Sequence, residues 1–258
     1  MGPHPANYRP FPGEFMRMRV HFIGVVALTG IGACALSSCG LLPGKTFQDD
    51  ATVSKKITSV RLDSGSGGLT VHGGKDGGAV SVHRAVSYHG DRPRGATHRV
   101  KDGVLVLSGC GSNCTVDYTI ELPAGVPVSG ETSSGAVELA KVGPVKMTTS
   151  SGDIQLDGVT GAVDARTTNG RITGRGLSGA KIAAETSNGA IDLTPATAQN
   201  VRAKTSNGAI TLKLPKGAYR VDADTGNGEE HIGIAQDPAA RFRLELSTSN
   251  GDITANAA

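Results

Sequence analysis

At 258 residues the chain carries 37 Gly and 12 Pro, no Trp, only 3% aromatic residues and a formal charge of +3. So few large apolar side chains exclude a compact core built on aromatic residues, and the wealth of turn formers and β-branched residues favours one elongated all-β domain over two globular ones. A chain this close to neutrality gives no global electrostatic case for a nucleic-acid partner.

The first predicted element is an export signal. Met16-Arg17-Met18-Arg19 supplies a basic start, Phe22 to Ala33 an apolar run, and Leu36-Ser37-Ser38-Cys39 small residues before a cut. That run is too short to span a bilayer as a helix. Translation is expected to start at Met16 or Met18. Leu-Ser-Ser-Cys resembles a bacterial lipobox, which implies cleavage after residue 38 and lipidation of Cys39; Ile31-Gly32-Ala33-Cys34 is a poorer candidate because it shortens the apolar run. Loss of residues 1–38 removes Arg9, Arg17, Arg19 and Glu14 and leaves 23 basic and 22 acidic residues, a formal +1.

Residues 39–51 read as the lipidated N-terminus and a spacer, and residues 52–258 as the folded domain. Strands are expected at Lys56–Leu62, Leu69–His72, Ala79–His83, Gly103–Leu107 and Val116–Leu122, separated by Gly-rich turns and forming an irregular N-terminal cap. The basic stretch His83 to Lys101 reads as a solvated loop between strands, with contact to lipid headgroups or anionic wall polymers as the functional alternative. Cys110 and Cys114 stand close together in Gly-Cys-Gly-Ser-Asn-Cys. Outside the cytoplasm such a pair is expected to form a disulfide; a redox pair or half of a metal site is the rival reading, without a C-x-x-C spacing or second ligand pair to support it.

From Gly125 onward one phrase recurs: TSSGAVEL, TSSGDIQL, TTNGRITG, TSNGAIDL, TSNGAITL, TGNGEEHI and TSNGDITA. Its glycines, Gly135, Gly152, Gly170, Gly189, Gly208, Gly228 and Gly251, are 17 to 23 residues apart. Each copy follows an apolar-x-Ala-x-Thr segment, so two alternating strands flank one corner. The expectation is a β-solenoid, single-stranded β-helix-like, with one repeat per coil; a meander of Asn-Gly hairpins or a propeller is the rival. Ala165, Ile172, Ala184, Ile191, Ala203 and Ile210 suit a narrow interior. Asn169, Asn188, Asn207, Asn227 and Asn250, each before Gly170, Gly189, Gly208, Gly228 or Gly251, are expected to stack as an amide ladder, with Asn-Gly taking the positive φ of a sharp turn and Thr and Ser decorating it. The broken copy at Thr225–His231 and the final repeat read as closing coils.

Candidate chemistry is sparse. Asp153 and Asp252 follow their glycines many coils apart and read as solvated outward residues. Glu229 and His231 share a strand face and form the best acid/base pair by proximity, without further support. Phe47, Tyr88, Tyr118, Tyr219 and Phe242 do not recur with the repeat, so no aromatic strip for sugars is expected. No metal site and no cofactor are expected.

The lipobox at Cys39, the Cys110/Cys114 loop ahead of Asp117-Tyr118-Thr119-Ile120-Glu121-Leu122-Pro123 and the T-S-N-G-x-I repeats together resemble the bacterial β-strand-repeat putative adhesin family, a domain of unknown function. The likeness runs from about Val53 to the end. It implies an extracytoplasmic β-solenoid, held to the bacterial membrane by its lipid, with no catalytic residues. The expected role is therefore a non-enzymatic interaction or structural module whose partner is a cell-wall polymer or an envelope protein. A regulatory or sensory lipoprotein acting on a membrane partner is the alternative, and a polysaccharide-active β-helix enzyme comes third.

Overall fold

The computed structural model describes residues 44–74 and 79–258. Cys39, the export signal and the first residues of the expected spacer, up to residue 43, lie outside the described residues. In the N-terminal part the chain forms β1 (Lys45–Val53), β2 (Ser59–Ser66), β3 (Leu69–Gly73), β4 (Val80–Tyr88), β5 (His98–Lys101), β6 (Val104–Ser108) and β7 (Cys114–Leu122). Regular pairs follow: β8 (Val128–Ser134) with β9 (Val137–Ala140), β10 (Val145–Ser151) with β11 (Ile154–Asp157), and β12 (Val163–Asn169) with β13 (Ile172–Leu177). Next come β14 (Lys181–Glu185) with β15 (Ile191–Pro195), then β16 (Asn200–Asn207) with β17 (Ile210–Leu214). The last elements are β18 (Ala218–Asn227), β19 (Glu230–Gly233), the short β20 (Ala235–Gln236), β21 (Arg243–Asn250) and β22 (Ile253–Ala257).

These strands build two sheets, ordered β1-β4-β7-β3-β9-β11-β13-β15-β17-β22-β19 and β20-β18-β21-β16-β14-β12-β10-β8-β2-β6-β5. Each coil gives one strand to each sheet, and successive coils pair in parallel, as in Ile172 beside Ile191 and Ile191 beside Ile210. Parallel stacking decides for a β-solenoid over a hairpin meander. The predicted inward slots are buried, with Ala165, Ile172, Ala184, Ile191, Ala203 and Ile210 all in one continuous core. Alternation along each strand sends the intervening polar residues outward.

At the N-terminal end the pairing changes to antiparallel: β4 pairs with both β1 and β7, and β5 with β6. This irregular cap is larger than expected. Strand β1 occupies most of the region read as spacer, because Phe47, Ala51 and Val53 alternate apolar and pack against the core. β4 continues five residues past His83, burying Val86 and Tyr88, so the basic loop is shorter than the sequence suggested.

Chain order and spatial order part at both ends. The coil β2/β3 lies between β6/β7 and β8/β9, and the last coil, β21/β22, inserts between β16/β17 and β18/β19. The C-terminal inversion has a direct cause. Glu230 occupies the slot opposite Ile253, so a sandwiched β18/β19 would bury a carboxylate without a partner. Leu244, Leu246, Ile253 and Ala255 of the final coil are all buried. Of the two coils read as closing ones, the broken copy β18/β19 therefore takes the terminal position, and the final repeat lies inside it.

Candidate functional site

The repeated corner is where the sequence signal is densest, and its geometry assigns a task to each letter. Thr186 is 4% exposed and Thr205 2%; their hydroxyls donate to the carbonyls of Gly170 and Gly189 in the preceding coil, both at 3.0 Å. Thr248 and Thr225 repeat the bond onto Gly208 and Gly251. The threonine is therefore an internal bracket between coils and not surface decoration.

The asparagine side chains do form the expected ladder. Asn188 donates to Asn169 and Asn207 to Asn188 at 2.9 Å, Asn250 to Asn207 at 3.0 Å, and Asn227 to Asn250 at 2.9 Å. None of these asparagines takes a positive φ; among described non-glycine residues only Asp102 and Lys141 do. At four of the five Asn-Gly corners the glycine takes it instead, at Gly189, Gly208, Gly228 and Gly251. Gly189 has φ 156°, and a Cβ there would collide with the carbonyl of Gly170. The aspartates after Gly152 and Gly251 also work between coils: Asp153 accepts from the Arg171 backbone N–H at 2.8 Å, and Asp252 from that of Glu229 at 3.0 Å. Both were expected to be merely solvated.

In the cap, Arg84 grips Asp49 through two hydrogen bonds, with Nη2 to Oδ2 at 2.7 Å. That guanidinium holds the Asp49 carboxyl below its ordinary pKa. The Tyr118 hydroxyl, pushed up by burial, shares its one proton between the carbonyls of Ser108 at 2.7 Å and Thr97 at 2.9 Å. His98 is held down by burial, and its Nδ1 has no hydrogen-bond partner among the described residues. Arg92 lies 4.0 Å from the centre of the Phe47 ring, and Lys45 reaches the Gly90 carbonyl. The basic loop is thus folded onto β1, and the neighbouring Arg84 of β4 is spent on Asp49.

A disulfide joins Cys110, in the loop before β7, to Cys114, the first residue of β7, with Cα atoms 5.8 Å apart. Glu229 and His231 meet at 3.1 Å, but both side chains are more than half exposed, which leaves no low-dielectric environment to tune an acid or base. Among the described residues no three His, Cys, Asp or Glu side chains gather as a metal site.

What remains are the two outward faces. On the face carrying β11, β13, β15 and β17, Gln155, Thr173, Asp192 and Thr211 stand side by side in register. Arg171 reaches Asp192 across coils at 3.7 Å, and the same shallow depression takes in Asp153, Arg175 and Lys213. This is an extended hydrogen-bonding surface, not a closed pocket.

The family described as Toastrack DUF4097, a domain of unknown function, matches residues 97–257. The chain belongs to that family. No curated protein matches it. Among solved structures, a putative adhesin from Bacteroides fragilis is similar, with 15% identity over 83% of this chain and 97% of that one, at a TM-score of 0.51. A putative adhesin from Parabacteroides distasonis has 13% identity over 82% and 97% of the two chains, at a TM-score of 0.47. At these identities the first likeness carries the fold alone. The Toastrack match begins at Thr97, so β1 to β4 precede it in this chain. Sequence reasoning passed over β1 and the Arg84–Asp49 pair. The alternation Phe47-x-Asp49-x-Ala51-x-Val53 was the signal available for both.

Proposed function

We propose that this Toastrack protein is a non-enzymatic interaction module of the bacterial cell surface, anchored by a lipid on Cys39 and binding through its outward sheet faces. One observation carries the reading: from coil to coil the interior repeats the same Thr and Ile positions and the corner the same Asn and Gly, whereas the outward residue at one register changes from Gln155 to Thr173, Asp192 and Thr211. A constant scaffold with a variable polar exterior suits recognition more than chemistry, since catalysis needs a few groups held together in a shielded site. The Cys110–Cys114 bond supports an oxidising compartment. A wall polymer or an envelope protein is the corresponding partner.

The lipid half is tested by growing cells with a labelled fatty acid. Label on the wild-type chain and none on Cys39→Ser, which appears in the medium, is the expected result; equal labelling of the two overturns the anchor. The binding half is tested by capture of the purified protein on fractionated envelope, with Thr173→Arg/Thr211→Arg as the outward variant. Retention of capture by a folded variant places binding elsewhere than on that face.

A further inference from the structure

The inserted last coil gathers cations that the sequence keeps far apart. In the second sheet, β21 lies between β16 and β18, so Arg243 pairs with Arg220 in register, and Asn200 offers its side-chain oxygen to the Arg243 backbone N–H at 2.9 Å. Lys181 stands beside Asn200 on the next strand. One outward row therefore reads Lys181, Asn200, Arg243, Arg220, and Arg202 and Arg241 line the same depression.

Two acids lie within this group, and both are engaged. Glu245 bridges Arg202 and Arg243 at 3.3 and 3.0 Å, and Asp222 takes the other arm of Arg243 at 2.9 Å. Arg243 is thereby pinned as the hub. Lys181 and Arg220 make no ion pair among the described residues, and Arg241 lies over the Phe242 ring, 5.3 Å from its centre. Five cations against two acids leave a local excess on a chain that is otherwise almost balanced. Ala183 and Asn200, both short, sit between the long basic side chains and open a groove.

We propose that this groove binds an extended anionic polysaccharide, its carboxylate or phosphodiester groups lying along the row from Lys181 to Arg220. Adjacent strands are about 4.8 Å apart, so the row spans roughly 14 Å. A single small anion would meet only one or two of its cations, whereas a polymer with recurring charges meets them all. The cations without an ion pair, Lys181, Arg220 and Arg241, give long-range attraction and the direct contacts, while Arg243 holds the two acids of the group in fixed ion pairs. Aromatic stacking platforms, on which single-stranded nucleic acids depend, do not line the row. The choice of a glycan over a nucleic acid rests on the surface location proposed above.

The test is binding of the full chain, purified in detergent, to polygalacturonate, the phosphodiester-linked polysaccharide polyribosylribitol phosphate, neutral dextran and a single-stranded oligodeoxynucleotide. The expected result is saturable binding to one or both anionic polymers that weakens steeply with added salt, and none to dextran. Lys181→Ala/Arg220→Ala/Arg241→Ala should bind about tenfold more weakly or worse while keeping the wild-type circular dichroism and melting temperature. Removing three exposed cations elsewhere, Lys55→Ala/Arg61→Ala/Lys146→Ala, should leave affinity unchanged. Equal weakening in the two triple variants reduces the effect to net charge and overturns the groove. So does absence of binding to both polyanions, equal binding to dextran, or tighter binding to the oligonucleotide. Since the assay does not depend on where the protein resides, failure of the Cys39 anchor leaves this result standing, and failure here leaves the anchor standing.

Discussion

The threonine of the repeated corner shows how a residue that looks decorative holds the stack. Its hydroxyl is buried and satisfies a glycine carbonyl one coil away, so replacement by an isosteric apolar side chain isolates the bond. Thr205→Val should lower stability by about 1–2 kcal/mol in urea unfolding, because the Gly189 carbonyl loses a partner while shape is kept. An unchanged midpoint would mean that the hydroxyl bond contributes nothing net. Glycine is the stricter requirement. Gly189→Ala must place a methyl against the Gly170 carbonyl and hold alanine at positive φ, and about 2–4 kcal/mol of destabilisation is expected by the same measurement. Motif letters that a sequence reader assigns to turning the chain are here assigned to joining neighbouring coils.

At the scale of elements the antiparallel cap is the feature that responds to conditions. His98 has a folded pKa below its ordinary 6.5 because burial disfavours the charged ring. The unfolded chain therefore binds the proton more readily, and the stabilisation is complete above about pH 6.5 and fades as pH falls below it. Asp49, held below its ordinary 3.8 by Arg84, adds a second loss only under more acidic conditions. Thermal unfolding followed from pH 7.5 to pH 5 should show a falling midpoint that His98→Gln flattens; an identical slope in that variant would remove His98 from the account. The disulfide at the start of β7 closes a loop with a sequence separation of 4, and its removal by Cys110→Ser/Cys114→Ser should cost about 2 kcal/mol or less. Both effects lie in a region where β1, β4 and β5 end the two sheets with antiparallel pairing, a covering that suits an edge otherwise open to further strands.

On the scale of the whole molecule the decisive fact is that the last repeat is not the last coil. Deleting residues 241–258 takes out a coil with neighbours on both sides. β18/β19 would then have to dock on β16/β17 directly, bringing Glu230 into the slot beside Ile210. The truncated chain should melt at a lower temperature and bind a hydrophobic dye, and Glu230→Ile in the truncated chain should recover part of the loss. Truncation without a change in melting would show that the final coil is an appendage. The same insertion sets Arg243 between Arg202 and Arg220, so loss of the coil should also abolish the basic groove.

The sequence by itself determined the period, the two strands per repeat, the inward slots of Ala165 to Ile210 and the asparagine ladder, because side-chain alternation and repeat length are local properties written once per coil. It also marked Cys110 and Cys114 as a pair, since four residues of separation leave few alternatives. Tertiary structure alone decided the order of the coils, the capture of β1 by β4 and the company kept by Arg220, Arg241 and Arg243. Coil order depends on which repeat can bear burial on both sides, a competition between Glu230 and Ile253 across distant segments that no local pattern records.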